Sequence, residues 1–465
     1  MTYPEWVLKH RTKGTQVRMI GNGYYLYKVH SIWNKEKKSV QLKTDKYLGK
    51  ITPDGIIPPK YERVMEKYKH ITSKEYGSSW FLYSIGRELL QHLKEHFSNG
   101  DVIFTMAALR LLHSSPLKNM EMLYETSYFS DVFDIDLSPK ILGDVLRDLG
   151  MDRESIVNFL KTFINAGEHI AVDLTHIFSL SENVVSSTMG HNSKNEFSPQ
   201  IQLLYLFSID RKMPVYYRML VGSITSVKSI SLSIKESGIS DITLVSDKGF
   251  YSDDNIRELE ENRIHYIIPI KRNLSVIDYK YDKKDMKFFF FEGRQIWYYA
   301  KKAGNRNLYL FLDEHLKAEE EKDYLKNVKP DDMERFYEKM PAMGTIVVIS
   351  DIEEDGEKVY GRLKARVNIE QLYDAFKNIL EADRSYMRGD YQLEGWMLIN
   401  FVSMVLYYEI YNTLLSNGLL KTYSPRDVLL HLSRVSELKI GDEWVITEIP
   451  KKTRKIVEKL SLHIV

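Results

Sequence analysis

The sequence predicts a mixed α/β protein whose core of strands and helices is interrupted by a β-rich segment and preceded by a small β segment and a helical region. Three observations lead there. Between residues 168 and 270, strand-like and helix-like stretches follow in the order β-β-β-α-β-α-β, a mixed sheet rather than a repeated βαβ array. Residues 275–360 break that order with the aromatic stretch KFFFFEGRQIWYYAKK and the apolar run GTIVVIS. Helical periodicity returns at about residue 367 and is expected to run through LYDAFKNILEADRSY.

Each element has a local reason. In residues 1–60, YYLYKVHSIW and SVQLKTDKYLGKI are rich in β-branched and aromatic residues, and Asn34–Lys38 supplies a polar turn between them. Residues 61–165 carry apolar side chains at three- and four-residue steps, as in SWFLYSIGRELLQHLKEHF and DVIFTMAALRLLH. Ser138-Pro139 and Asp152 mark helix starts there. Such short helices suit either a helix-turn-helix DNA reader or plain scaffolding. In residues 166–274, HIAVDLTHIF, QIQLLYLFSI, PVYYRMLVG, DITLVS and HYIIPI read as strands. Gly238 stops the helix between the third and fourth, and Ser252 caps the next, with Asp253 and Asp254 in its first turn. Residues 275–362 form the β-rich insertion, which includes the charged helical stretch LDEHLKAEEEKDYLKNV. Residues 363–420 complete the core, and 421–465 form a tail with a short strand and a basic helix.

Composition narrows the chemistry. The chain has no cysteine, so disulfides, Cys-based zinc sites and Cys nucleophiles are excluded, and a reducing, cytoplasmic setting is expected. The run Trp396–Tyr408 is too short to cross a bilayer and reads as a buried helix, so no membrane partner is expected. Net charge is only +1, but residues 1–60 hold 12 Lys and Arg against 4 acids, a local +8 that suits a phosphate-binding surface or a solvated basic face.

Three acids stand where chemistry would need them. Asp173 lies inside the apolar strand AVDLTH, Asp247 ends the buried strand in LVSDKGFYS, and Glu370 lies near the start of the helix RVNIEQLYDAFK. An ionised acid in an apolar strand is costly unless it is paired or binds metal. Taken singly, each reads as an ordinary strand-end or helix-surface carboxylate. Together they make a hard oxygen site suited to Mg²⁺ or Mn²⁺, and two such ions ~3.5–4 Å apart serve phosphodiester cleavage. Gly249 is expected to let the chain turn sharply after Asp247, leaving Lys248 and Tyr251 to face a phosphate or solvent. Arg366 lies four residues before Glu370 and Lys377 seven after it, which places all three on one helical face. His176 and His191 lie near the site and read as structural.

With Asp173, the Asp-Lys-Gly-Phe run at 247–250 and Arg366-x3-Glu370-x6-Lys377, the chain resembles the DDE transposases of prokaryotic insertion sequences. It looks nearest to the group with a Tyr-Arg-Glu-Lys signature, although Leu363 stands where the signature tyrosine falls, and Tyr360 or Tyr373 is a substitute. Gly190-His191-Asn192 and the strand ending in Gly222 also look like the family. The resemblance implies an RNase H-like core with a β-strand insertion subdomain, and Asp173, Asp247 and Glu370 as catalytic ligands of two divalent ions. It implies DNA contacts by Arg366, Lys377, Lys248, Tyr251 and Trp297, with one exposed ring of the insertion stacking on a base. It further implies double-stranded DNA as partner, both terminal inverted repeats and target, bound by a homodimer. Two other readings remain open: a metal-dependent nuclease that cuts without joining, and an inactive transposase-derived DNA-binding protein.

Overall fold

A computed structural model describes residues 3–35, 38–68, 71–179, 181, 183–191, 197–221, 226–327, 333–441 and 443–464. By its contacts the chain divides into two units, Met1–Glu75 with Val435–Ile449, and Tyr76–Arg434 with Pro450–Ile464. This division differs from the sequence boundaries at residues 60 and 420. The cause is strand pairing: Ile71–Glu75 lies antiparallel to Ser436–Ile440, which draws part of the tail into the N-terminal unit.

The first unit holds a four-stranded antiparallel meander, Thr15–Ile20, Gly23–Asn34, Ser39–Thr52 and Gly55–Ile57. Its core is small, built from Val7, Val17, Leu26 and Ile51. The two middle strands are those expected from their β-branched and aromatic content. The outer two were not foreseen, being short and weakly patterned.

The second unit is organised by an eleven-stranded mixed sheet. Its central strands are β1 (His169–Ser179), β2 (Phe197–Ser208), β3 (Met213–Val221), β4 (Thr243–Val245) and β5 (His265–Ile270). In space they run β3-β2-β1-β4-β5, with β1, β4 and β5 parallel and β2 antiparallel to both neighbours. Strand β4 and the Ile170–Val172 stretch of β1 are buried on both sides, as central strands covered on two faces must be. This order is consistent with the expected RNase H-like core. The inserted strands β6 (Lys287–Phe291), β7 (Arg294–Ala303), β8 (Arg306–Asp313) and β9 (Thr345–Ser350) do not stand apart. They continue the same sheet, because β9 pairs antiparallel with β5 along Ile267–Ile270.

Helices cover the sheet. The ones used below are α1 (Gly100–His113), α2 (Pro139–Met151), α3 (Ser226–Ser237), α4 (Asp253–Glu261), α5 (Glu314–Asn327), α6 (Met333–Lys339), α7 (Gly356–Ala365), α8 (Val367–Asn378) and α9 (Asp390–Ser416). Gly238, with φ +61°, ends α3, and the Ser252 hydroxyl accepts the Asn255 N–H at the start of α4, both as expected. Residues Trp396–Leu406 of α9 are buried throughout, and each large apolar side chain so buried contributes roughly 1.5–3 kcal/mol. Helix α1 packs on α9 and is buried from Ile103 to Leu111, so it serves as scaffold and offers no face to a DNA groove. Among the described residues no helix is long and apolar enough to cross a membrane.

The return to helix differs from the expectation in two ways. A separate helix, α7, precedes α8, so Leu363 belongs to α7 and Arg366 sits at the junction. Helix α8 then stops at Asn378; Glu381 takes a left-handed φ of +50° and Arg384–Ser385 pairs with the end of β1. The apolar periodicity of 367–386 hid that break, because Ile379, Leu380 and Ala382 continue burying side chains after the helix ends.

Candidate active site

Sheet register brings the first two acids together. Val245 of β4 lies opposite Ala171 of β1 in a parallel ladder. Both chains continue extended for two more residues, Asp247 having φ −85° and ψ 170°, which carries Asp247 level with Asp173. Adjacent strands lie ~4.8 Å apart. Helix α8 packs across β1 and β2 and supplies Glu370 from its first turn.

Asp173 is half-buried. Its Oδ1 accepts the Leu174 N–H at 2.8 Å and its Oδ2 lies 3.6 Å from the Arg366 guanidinium. Burial raises its pKa; the Leu174 N–H and Arg366 oppose that rise, and the negative charges of Asp247 and Glu370 add to it. That like-charge influence ties the three acids to one electrostatic site. Arg366 also donates to Glu370 Oε1 at 2.6 Å, so one guanidinium joins two of the three acids. Sequence spacing foresaw the contact to Glu370 but not the one to Asp173, which depends on how α8 crosses the sheet.

Asp247 turns in a different way from that expected. Its Oδ1 accepts the Gly249 N–H at 2.5 Å, closing a short helical turn over Lys248–Phe250. Gly249 has no left-handed φ. Its lack of a side chain matters instead, since a Cβ there would lie 2.9 Å from that same oxygen.

The remaining sequence candidates separate. Lys248 is exposed next to Asp247. Lys377 is half-buried and close to His176, whose pKa is lowered by burial and by that lysine, so the His176 ring is best kept neutral. Burial raises the pKa of the Tyr251 hydroxyl, with Asp253 adding to the rise and Arg306 opposing it. Trp297 is only partly exposed, with Phe288 5.3 Å away and the Lys283 ammonium over its ring. The exposed rings of the aromatic run are Phe288 and Phe290, at 53% and 67%, and Tyr337 is exposed elsewhere in the insertion, so the expectation of a single exposed ring does not hold. Alternation along edge strand β6 turns these two outward and buries Phe289. Asn192 and Gly222 lie outside the described residues.

Of the two tyrosines offered in place of the missing signature residue, Tyr373 reaches the site. Its buried hydroxyl donates to the Asp173 main-chain oxygen at 2.6 Å. Tyr360 packs instead with Phe289, Phe291 and Phe311 of the insertion.

The acids fit a hard divalent cation by donor type and by charge, since the Asp173 carboxylate is destabilised by the charges of Asp247 and Glu370. They do not form a ready-made cage: no group of three or more acids and histidines is close enough to hold a metal among the described residues. Arg366 supplies the counter-charge in this arrangement, standing between Asp173 and Glu370.

Sequence reading missed Arg110, which is 5% exposed in α1. It donates to the Leu380 carbonyl just past the end of α8, while Ser114 Oγ donates to the Ile379 carbonyl at 2.5 Å. The two anchor the far end of the helix that carries Glu370. The signal was available: a lone arginine in an otherwise apolar helical run needs buried acceptors. Lys271 and Arg272 were also missed, although they follow a buried strand just as Asp247-Lys248 does.

Comparison with known proteins bears on this geometry. Among solved structures, the chain is similar to a piggyBac transposase in a synaptic complex with hairpin DNA, at 13% identity and a TM-score of 0.41, covering 72% of this chain and 70% of that one. No curated protein sequence matches. The family model described as "Transposase DDE domain" matches residues 166–406, more than half of the chain and the whole span from Asp173 to Glu370. The chain therefore belongs to the DDE-domain transposase family.

Proposed function

We propose that this transposase cuts DNA at the ends of an insertion sequence and joins the freed 3′ hydroxyl to target DNA, with Asp173, Asp247 and Glu370 as its catalytic carboxylates. The observation that carries the reading is the parallel register that sets Asp247 level with Asp173, within electrostatic reach of Glu370. Family membership implies dependence on a divalent metal, and Mg²⁺ or Mn²⁺ suits three carboxylates. Two such ions, when bound, would activate the attacking oxygen and stabilise the leaving one.

The chain's own groups do the rest. Tyr373 fixes the main chain at Asp173, and the Gly249 N–H fixes the Asp247 carboxylate. Arg366 would be freed from the acids if they held cations, and its planar fork of donors suits a backbone phosphate. Lys377 and the exposed Lys248 add positive charge on either side. The partner is double-stranded DNA, terminal repeat and target, held by two copies of the chain so that both ends are cut together.

The test is cleavage of the element's own ends in Mg²⁺ or Mn²⁺. Asp247→Ala is expected to abolish cutting while end binding persists. Normal cutting by that variant would refute the site. A wild type that cuts but cannot join pre-cut ends to target would reduce the activity to that of a nuclease.

A further inference from the structure

Two cavities flank the carboxyl edge of β5, and they are opposite in charge. One, of about 510 Å³, is lined by Lys248, Lys271, Arg272 and Asn273 on the core side and by Thr345–Val347 of the inserted strand β9. The other, of about 710 Å³, carries Glu319, Asp323 and Glu338 from α5 and α6. Both volumes lie within the ~300–1,000 Å³ range of ligand sites.

The Arg272–Glu320 ion pair stands at the boundary between them. Arg272 donates to both Glu320 oxygens, at 2.8 and 3.0 Å, and to the Thr345 carbonyl at 2.7 Å; Glu320 also accepts the Gly344 N–H at 2.9 Å. Both residues line both cavities. Arg272 is therefore neutralised, and the charge of the smaller cavity comes from Lys248 and Lys271. Both are exposed, and neither has an acidic partner among the described residues.

Position gives these lysines a direction. Val245 of β4 is level with Ile267 of β5, so Asp247 is level with Pro269, and Lys271 lies two residues further on. At the ~3.3 Å rise of a strand, that is ~7 Å beyond the acid along the strand direction. Lys248 is beside Asp247 itself. The two cations thus mark a line that starts at the acid cluster and runs into the groove.

We propose that this groove is a track for the sugar-phosphate backbone of the DNA strand leaving the acid cluster, and that the Arg272–Glu320 pair walls it off from the acidic cavity. The proposal rests on the reading of Asp247 as part of the active site. It gives the insertion a physical role, in which β9 forms one side of the track and α5 supplies Glu320, which holds the wall. A polyanion is drawn toward Lys248 and Lys271 and repelled by Glu319, Asp323 and Glu338.

The experiment measures binding of a labelled duplex with a single-stranded overhang, in EDTA so that nothing is cut, over a series of salt concentrations. Each lost phosphate contact lowers the slope of log affinity against log salt by about 0.7–0.9, or about five- to eightfold in affinity at 0.1 M salt. Lys271→Ala is expected to show that loss, and Lys271→Arg to restore it, which separates charge from folding. Lys339→Ala, at the acidic cavity, is expected to leave the slope unchanged. An unchanged slope in Lys271→Ala, no rescue by Lys271→Arg, or an equal loss in Lys339→Ala would overturn the track. Cutting in Mn²⁺ by Asp247→Ala is scored separately, so failure of the track is distinguishable from failure of the active site.

Discussion

Replacing Arg366 by glutamine should move metal affinity and DNA cutting in opposite directions. The Arg366 guanidinium lies 3.6 Å from Asp173 and 2.6 Å from Glu370. At 3.6 Å, a unit charge pair is worth about 1 kcal/mol in a water-like medium and about 5 kcal/mol at an effective dielectric near 20. Asp173 is 25% exposed and Arg366 20%, so the pair lies between these limits, and solvent screening leaves about 1–2 kcal/mol as the working figure. If these acids hold the cation as proposed, its entry would have to displace that interaction. Arg366→Gln is therefore expected to bind Mn²⁺ about 5- to 30-fold more tightly than wild type in titration calorimetry without DNA. Cutting should fall, because the phosphate donor is gone. The pH dependence has a definite sign. The folded-state pKa of Asp173 is raised above its ordinary 3.8, so ionising it costs stability, and that cost appears as pH climbs from 3.8 through the raised value. Arg366 opposes the rise. Its removal should push the pKa higher still and shift the acid limb of cutting toward higher pH. Weaker Mn²⁺ binding by Arg366→Gln, or an acid limb shifted downward, would show that Arg366 does not compete with the cation.

Two further outcomes concern the scaffold that aims the acids. Tyr373→Phe removes only the hydroxyl bonded to the Asp173 carbonyl, and should cost about 1–2 kcal/mol in denaturant unfolding, with a larger proportional loss of cutting than of DNA binding. Equal losses of both would mean that the bond supports the fold alone. Arg110→Met leaves the Leu380 carbonyl without its buried donor, and should destabilise by about 2–4 kcal/mol in the same assay; a variant as stable as wild type would deny that α8 is anchored there.

Much of the core was readable because its signals are local. Buried strands with an acid at one end, a serine cap at Ser252 and a left-handed glycine at Gly238 each follow from residues within one turn or one strand of each other. Arg366 and Glu370 were readable for the same reason, four residues apart on one face. What was hidden depends on register or crossing angle. The pairing of β9 with β5 turns the insertion from a separate subdomain into an extension of the sheet, and no residue within 275–362 announces that partner. The union of Ile71–Glu75 with Ser436–Ile440 spans most of the chain. The contact of Arg366 with Asp173 needs α8 laid across β1, a tertiary fact. Gly249 shows the subtler failure: its presence after Asp247 was legible, but its role is room for a carboxylate oxygen rather than backbone freedom.

The insertion and the acid cluster then belong to one construction. Because β9 pairs directly with β5, and β5 lies beside β4, any shift of the inserted strands is transmitted through two ladders to the chain bearing Asp247. Tight ladders resist such shifts, so the insertion is held in register with the acids, and a site assembled on rigid strands keeps its geometry better than one on loops. Glu370 arrives by a different route, on a helix whose far end is anchored by α1 through Arg110 and Ser114. Two acids are thus set by the sheet and the third by a separately anchored helix. The single guanidinium joining Asp173 to Glu370 stands at that junction between sheet and helix.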